Sequence, residues 1–243
     1  MKLGIFGDSF GTLPPYVKDF NEFDLGPAWF ERLQDDYTVD NYCEWGSTFA
    51  RSVYVFLKNY HKYDKILFTV TSPGRICSVK DNKIYNWSNL GSAKSMLDCH
   101  PLGNDVVNAA IGYFEHIDNK ELSKVQHNGL ISLINSTHDN VYMLPCFPDS
   151  IETKSKSLGE ISLYESKTWN WLFGEPGYFD IRKGHIADEN HHILYRKILT
   201  YLQTGSLTLN LKDFIVVKDK QRYLFTRTLE DTRFRPNPRQ DFH

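Results

Sequence analysis

Three short, nearly uninterrupted apolar runs constrain this chain most: Leu3–Phe6, Lys65–Thr71 (KILFTVT) and Asn140–Cys146 (NVYMLPC). A strand with one wet face alternates apolar and polar residues, whereas a continuous apolar run marks a strand buried on both faces. Such strands belong to parallel sheets covered by helices. The intervening segments supply those helices. Pro27–Leu33 predicts a short one. Ser47 is placed to cap another that reaches about Tyr60, with Phe49, Val53, Phe56, Leu57 and Tyr60 at helical spacing. Val106–His116, Leu122–Ile134 and Ile161–Phe173 follow, the last broken by Glu175-Pro176-Gly177. Asp188–Leu202 carries a stripe of Ile193, Leu194, Ile198, Leu199 and Leu202. Tyr37–Cys43 alternates and predicts a further strand. Strands therefore alternate with helices over residues 1–204, which predicts an α/β domain with a mainly parallel sheet. Between Ser72 and Asn104 the pattern lapses, apart from a small hairpin around Asp81-Asn82. Residues 205–243 read as a β-rich C-terminal extension, with strands at Leu207–Leu211, Phe214–Lys218 and Tyr223–Thr226 and an extended tail from Arg233 to His243.

Composition removes several function classes. Lys and Arg total 28 against 30 Asp and Glu, a net charge of −2, which argues against a general nucleic-acid binder because phosphate neutralisation needs a basic excess. No apolar run approaches the roughly 18–20 residues of a membrane span. The N-terminal apolar stretch turns polar at Asp8, too soon for a signal-peptide core, so a cytoplasmic protein is expected. The four cysteines, at 43, 77, 99 and 146, contain no CxxC pair. They read as reduced, mostly buried thiols, with one or two disulfides as the alternative. Neither GxxxxGK[ST] nor GxGxxG occurs, so no phosphate loop, no dinucleotide fingerprint and no cofactor are expected.

In a parallel α/β sheet, ligands bind beyond the carboxyl ends of the strands. Three segments occupy such positions: Gly7-Asp8-Ser9-Phe10, Gly46-Ser47 and Thr71-Ser72-Pro73-Gly74-Arg75. Ser9 is a candidate nucleophile, which needs a neighbouring base and donors for an oxyanion. The competing reading is a tight turn in which Asp8 caps the next helix. Of the 9 histidines, His61, His100, His116, His127 and His138 lack supporting residues and read as mostly solvated. His185, His191 and His192 cluster at the start of the last helix, where a side chain can project over the same sheet edge as Ser9. Their spacing with Asp188 matches no metal-ligand pattern, and no HExxH occurs, so no metal is expected. Asp149, Glu152, Lys154 and Lys156 read as a solvated loop. Trp169-Asn170-Trp171-Leu172-Phe173-Gly174 reads as a core-packing helix end, or as an aromatic wall of the kind that stacks on sugar rings.

Ile5-Phe6-Gly7-Asp8-Ser9-Phe10 resembles the first block of the SGNH (GDSL) hydrolases, an apolar strand followed by Gly-Asp-Ser. Gly46 in Trp45-Gly46-Ser47 is similar to the glycine after that family's second strand, and the histidine cluster resembles its last block. The resemblance spans residues 1–204 and is nearest to the divergent GDSL-like proteins of phage and bacterial genomes. It implies a three-layer α/β/α, flavodoxin-like fold and a serine esterase for small acyl esters, with O-acetyl groups on a carbohydrate as a substrate class. Ser9 would be the nucleophile and His185 the base, with Asp180 orienting it. Gly184-His185-Ile186-Ala187-Asp188 fits the family register, and Asp188 and Glu189 suit the first helical turn, where the dipole favours acids. The alternative pair is Asp188 and His191, which has the usual Asp-x-x-His spacing. In the His185 register, Arg182 stands where the family has its Asp. The family's Gly-x-Asn-Asp block is absent, leaving Ser72 or Arg75 beside the Ser9 and Gly46 N–H groups as oxyanion donors. Rival readings are an O-acyltransferase with the same site, and a catalytically degenerate binding or structural module, virion-associated and assembled through the C-terminal extension.

Overall fold

In the computed structural model, which describes residues 1–12, 27–44, 46–80, 83–87, 89–94, 97, 103–166, 178–180, 186, 188–215 and 224–226, the N-terminal apolar run forms β1 (Lys2–Gly7). It is followed by α1 (Trp29–Arg32), β2 (Thr38–Asn41), α2 (Phe49–Asn59) and β3 (Lys65–Val70). Then come the hairpin β4 (Ile76–Lys80) and β5 (Lys83–Trp87), α3 (Leu90–Lys94), α4 (Asn104–His116) and α5 (Lys120–Thr137). The chain continues through β6 (Val141–Pro145), α6 (Leu158–Ser166), β7 (Tyr178–Asp180), α7 (Asp188–Thr204) and β8 (Leu224–Thr226). Strands β2, β1, β3 and β6 form one sheet in that order, and every pairing is parallel.

The continuous apolar runs are buried on both sides, as a parallel sheet requires. Leu3, Ile5, Leu67, Leu144 and Cys146 join a core with Trp29 and Phe30 of α1, Leu158 and Ile161 of α6, and Leu194, Ile198 and Leu202 of α7. Phe6, Ile66, Phe68 and Val70 join a second core with Phe49, Val53 and Phe56 of α2 and Ile134 of α5. Neighbouring residues of one strand thus feed opposite cores, the period-two geometry of a strand. Trp87, Ala93, Val107 and Ala110 form a third, small cluster between the hairpin, α3 and α4.

Several boundaries differ from the sequence reading. Thr48, not Ser47, caps α2: its hydroxyl accepts from the Arg51 N–H at 3.2 Å, while Ser47 is fully buried. The predicted hairpin is present as β4 and β5, with Lys80 opposite Lys83, and Asp81-Asn82 itself lies outside the described residues; α3 after it carries no clear apolar period and was not predicted. The helix predicted to Phe173 is described as far as Ser166, and residues 167–177 lie outside the described residues. Leu207–Leu211 is not a strand. Leu209 and Phe214 are buried in the same core as α7, and the backbone bonds elsewhere: Ser155 Oγ donates to the Leu207 carbonyl at 2.8 Å, and Lys156 N–H to the Leu209 carbonyl at 2.9 Å. Asn190 of α7 clamps the end of this segment, donating to the Ile215 carbonyl at 2.7 Å and accepting from its N–H at 2.8 Å. Two apolar side chains facing a ready-made core outweigh a weak strand preference. Within the last predicted strand, β8 pairs antiparallel with β7. Among the described residues no helix is long and apolar enough to cross a membrane.

The tightest point of the sheet is Gly7, with φ +145°. A Cβ there would stand 2.0 Å from Thr69 Oγ1 and 2.3 Å from the Thr69 carbonyl oxygen. Gly7→Ala is therefore expected to lose about 3 kcal/mol or more of unfolding free energy in urea titration, from backbone strain and overlap together. A loss below about 1 kcal/mol contradicts this account of the β1–β3 contact.

Candidate active site

β1 lies between β2 and β3, so the chain leaves it in one direction for β2 and returns past it to β3. Such a reversal opens a crevice at the carboxyl ends of the strands. Gly7 sits opposite Thr69 in register, and the next N–H, of Asp8, donates to Thr69 Oγ1 at 2.9 Å. Asp8 is 1% exposed. Its Oδ1 accepts from the Phe10 N–H at 3.1 Å, and its carbonyl accepts from the Gly11 N–H at 3.0 Å. These bonds shape a single 3-10 turn over Ser9–Gly11. Asp8 is thus the turn's cap, and the turn carries Ser9 to the mouth of the sheet. Among the described residues, neither the Ser9 hydroxyl nor the Ser9 N–H has a hydrogen-bond partner.

The second segment runs beside the first. The Glu44 N–H donates to the Gly7 carbonyl at 3.1 Å, and the Ser47 N–H turns back to the Glu44 carbonyl at 3.0 Å. Gly46 adopts φ +75°. A Cβ there would meet nothing within 4 Å, so backbone conformation and not crowding favours glycine. The Gly46 N–H also has no acceptor among the described residues. Two such N–H groups on adjacent turns above a parallel sheet are the kind of donor that stabilises developing negative charge.

The third segment separates its two candidates. Ser72 Oγ donates to Asp149 Oδ2 at 3.1 Å, so its proton is committed away from Ser9. Arg75 Nη1 donates to the Ser47 carbonyl at 3.3 Å and lies 3.8 Å from Asp8 Oδ2. Its guanidinium stands over the Phe147 ring, 5.0 Å from the centroid, and that ring meets Phe10 edge to face at 5.7 Å. A guanidinium seated on an aromatic face keeps its planar donors pre-organised. Asp8 Oδ2 has no hydrogen-bond partner among the described residues, and the Arg75 guanidinium and the buried Cys146 thiol are its electrostatic neighbours.

Two thiols flank this centre. Cys43 Sγ lies 3.7 Å from Thr69 Oγ1, and Cys146 is fully buried. Burial raises both pKa values, and the Asp8 charge pushes the same way. Neither becomes a thiolate near neutral pH, so the candidate nucleophile here is the Ser9 hydroxyl, on a residue only 7% exposed. Among the described residues Cys43, Cys77 and Cys146 form no disulfide, with only Cys146 buried, and Cys99 lies outside them. Among the described residues no group of three or more His, Cys, Asp or Glu could hold a metal ion.

The last predicted block is described in part. His185, Arg182 and Trp169–Gly174 lie outside the described residues. Asp180 ends β7 and Asp188 opens α7. The start of α7 does reach the Ser9 turn, through Trp29. The Trp29 N–H donates to His191 Nδ1 at 3.0 Å, and the Trp29 indole N–H donates to the Phe10 carbonyl at 2.9 Å. His191 is 6% exposed. Because its Nδ1 is an acceptor, the neutral ring carries its proton on Nε2. In that tautomer His191 cannot take a proton from serine through Nε2, and it serves to hold Trp29. His192 is exposed.

Sequence reasoning missed Phe147, Asp149 and His127. Phe147 and Asp149 follow β6 directly, so the carboxyl-edge rule that found Ser9 points to them once it is applied to the fourth strand. Asp149 is exposed, as a solvated loop residue would be, and its Oδ2 also accepts from Ser72 Oγ. His127 is not solvated: it is 4% exposed, on the inward face of α5. Its imidazole donates from Nε2 to the Ser150 carbonyl at 2.7 Å. No sequence signal marks that face, since the apolar Leu122, Val125 and Leu133 of the same helix are exposed.

Burial holds the His127 pKa below its ordinary value of 6.5, against the Ser150 hydrogen bond and the Asp149 charge, which push it up. The folded protein therefore keeps this ring neutral where the unfolded chain protonates it. Its contribution is complete above pH 6.5 and is lost as pH falls through the folded-state value. His127→Gln should flatten the acid limb of unfolding free energy against pH, by at most about 1.4 kcal/mol per pH unit. Identical slopes in the two proteins contradict this. No family model, no curated protein and no solved structure matches the chain.

Proposed function

We propose that the chain is a serine esterase of the SGNH type, on a flavodoxin-like three-layer α/β/α frame. It hydrolyses small acyl esters, with O-acetyl groups on a carbohydrate as the substrate class. One observation supports this reading: Ser9, whose hydroxyl and N–H have no partner among the described residues, follows β1 at the switch point of a parallel sheet, and the turn holding Gly46, whose N–H is likewise without an acceptor among them, is tied to the same strand end by the Glu44 N–H to Gly7 carbonyl bond. A hydroxyl nucleophile and paired backbone donors are the parts that acyl transfer needs. The chemistry follows from these parts. Ser9 Oγ attacks the ester carbonyl carbon while His185 takes its proton. The carbonyl oxygen becomes an oxyanion facing the two N–H groups. Collapse of the tetrahedral adduct breaks the bond to the alcohol oxygen, which receives the proton from His185. Water then cleaves the acyl-serine by the same steps in reverse.

Arg75 takes the role that the family gives to an asparagine. It lies next to Asp8 and Ser47, the neighbours of the nucleophile and of Gly46, and it brings a full positive charge where an amide brings a dipole. The charge favours the oxyanion over the neutral carbonyl, so its effect falls on the transition state. Arg75 is preferred over Ser72 for this role because the Ser72 hydroxyl already donates to Asp149. Asp180 remains the candidate that orients His185.

The test is intact mass after exposure to a serine-reactive fluorophosphonate. One adduct is expected on the wild type, none on Ser9→Ala, and loss also on His185→Ala. His191→Ala should keep the adduct. Arg75→Met should slow labelling by about 10²-fold, the usual cost of one oxyanion donor. A folded wild type that takes no adduct refutes the esterase reading.

A further inference from the structure

Arg75 is held from two sides, and both supports lead back to one buried imidazole that the proposed chemistry does not use. The first support is the Phe147 ring beneath the guanidinium. Phe147 belongs to a tight turn closed by Ser150. The Ser150 N–H and Oγ donate to the Phe147 carbonyl at 3.1 and 2.7 Å, and the Phe147 N–H returns to Ser150 Oγ at 3.4 Å. The carbonyl of Ser150 accepts the Nε2 proton of His127. The second support is the Ser47 carbonyl that accepts from Arg75. Ser47 precedes the cap of α2, and Phe49, the first residue of that helix, stacks against the His127 ring with centroids 4.4 Å apart at 37°.

We propose that His127 is a positioning residue which, by pinning the Phe147–Ser150 turn and bracing Phe49, sets the Arg75 guanidinium beside Ser9. The inference rests on the esterase reading for its consequence, but the geometry it describes exists without it. The Ser150 carbonyl is buried and needs a donor at that depth, since an unsatisfied buried acceptor is costly. An aliphatic residue fills the space but leaves the carbonyl bare, and the turn must then shift to find water. Such a shift carries the Phe147 ring with it, and with the ring both the seat of Arg75 and the edge contact to Phe10. The same displacement moves Asp149 away from Ser72. A glutamine retains a donor on a side chain of comparable reach, so it separates the hydrogen bond from the mere presence of a large residue.

The experiment compares the full-length wild type, His127→Leu and His127→Gln in two measurements. The first is the second-order rate of fluorophosphonate labelling. The second is the Arg75 Nε–H resonance in a ¹H–¹⁵N spectrum, assigned by its loss in Arg75→Lys. The leucine variant should label about 10- to 100-fold more slowly, the scale of a small misplacement of a catalytic group. Its Arg75 signal should shift or broaden, while β1 and β3 amide signals stay in place. The glutamine variant should recover most of the rate and the native signal. Wild-type labelling with an unmoved Arg75 signal in the leucine variant overturns the proposal, as does a glutamine variant no better than leucine. If the leucine variant does not fold, Phe147→Leu tests the same link from the other end, with the same outcomes expected and the same ones decisive. No adduct on the wild type removes the esterase reading instead. The Arg75 signal in His127→Leu and His127→Gln then decides the positioning role by itself.

Discussion

The contact between Gly7 and Thr69 governs everything above the sheet. With no side chain at Gly7, the backbone of β1 closes onto Thr69 more tightly than a Cβ permits, and Thr69 Oγ1 captures the next N–H, of Asp8. That bond turns Asp8 inward. Once inward, its carboxylate caps the following turn, which carries Ser9 just beyond the end of β1. Strand register and the absence of one methyl group thus place the candidate serine, whose hydroxyl has no partner among the described residues. The same register aligns β3 with β6, Thr69 opposite Leu144, so the loops after β1, β3 and β6 rise from one edge and meet there.

Aromatic side chains then join those loops into one surface. Trp29 links α1 to α7 and to the Ser9 turn through its two N–H groups. Phe147 touches Phe10 from the next loop and seats Arg75. Each ring lies between segments distant in sequence, and each removes its loop's freedom by packing against a rigid sheet. The candidate site lies on loops because only they reach beyond the strand ends, and the rings make them behave as part of the scaffold. Asp8 contributes charge as well as a cap, since its buried carboxylate lies 3.8 Å from Arg75 Nη1.

Much of the frame was legible because hydrophobic burial is written in local patterns. The runs at β1, β3 and β6, the alternation at β2, the apolar stripe of α7 and the pairing of β4 with β5 all matched elements within a few residues. Ser9, Gly46, Ser72 and Arg75 all follow the carboxyl ends of strands of the parallel sheet, the edge from which the rule selected them. Where the reading failed, a tertiary partner outweighed a local preference. Leu207–Leu211 alternates like a strand, yet Leu209 enters the α7 core and its backbone bonds the 155–156 segment. Thr48 takes the cap from Ser47 because Ser47 is needed inside, where its carbonyl meets Arg75. His127 looked like a surface histidine because α5 turns an unexpected face inward.

The sequence by itself determined that strands and helices alternate around a parallel sheet, and that Gly-Asp-Ser follows the first strand. Both follow from short-range constraints: burial on two faces demands continuous apolar runs, and a tight turn after a strand demands small and capping residues. Tertiary structure alone decided which donors stay free and which are occupied. Ser72 and Arg75 are three residues apart and chemically comparable as donors, yet Asp149 takes one and Phe147 seats the other. His191 has the right spacing to be a base, and only its meeting with the Trp29 N–H assigns its lone pair. A hydrogen bond depends on where both partners lie in space, and partners as far apart as residues 29 and 191 are set by packing that no local pattern encodes.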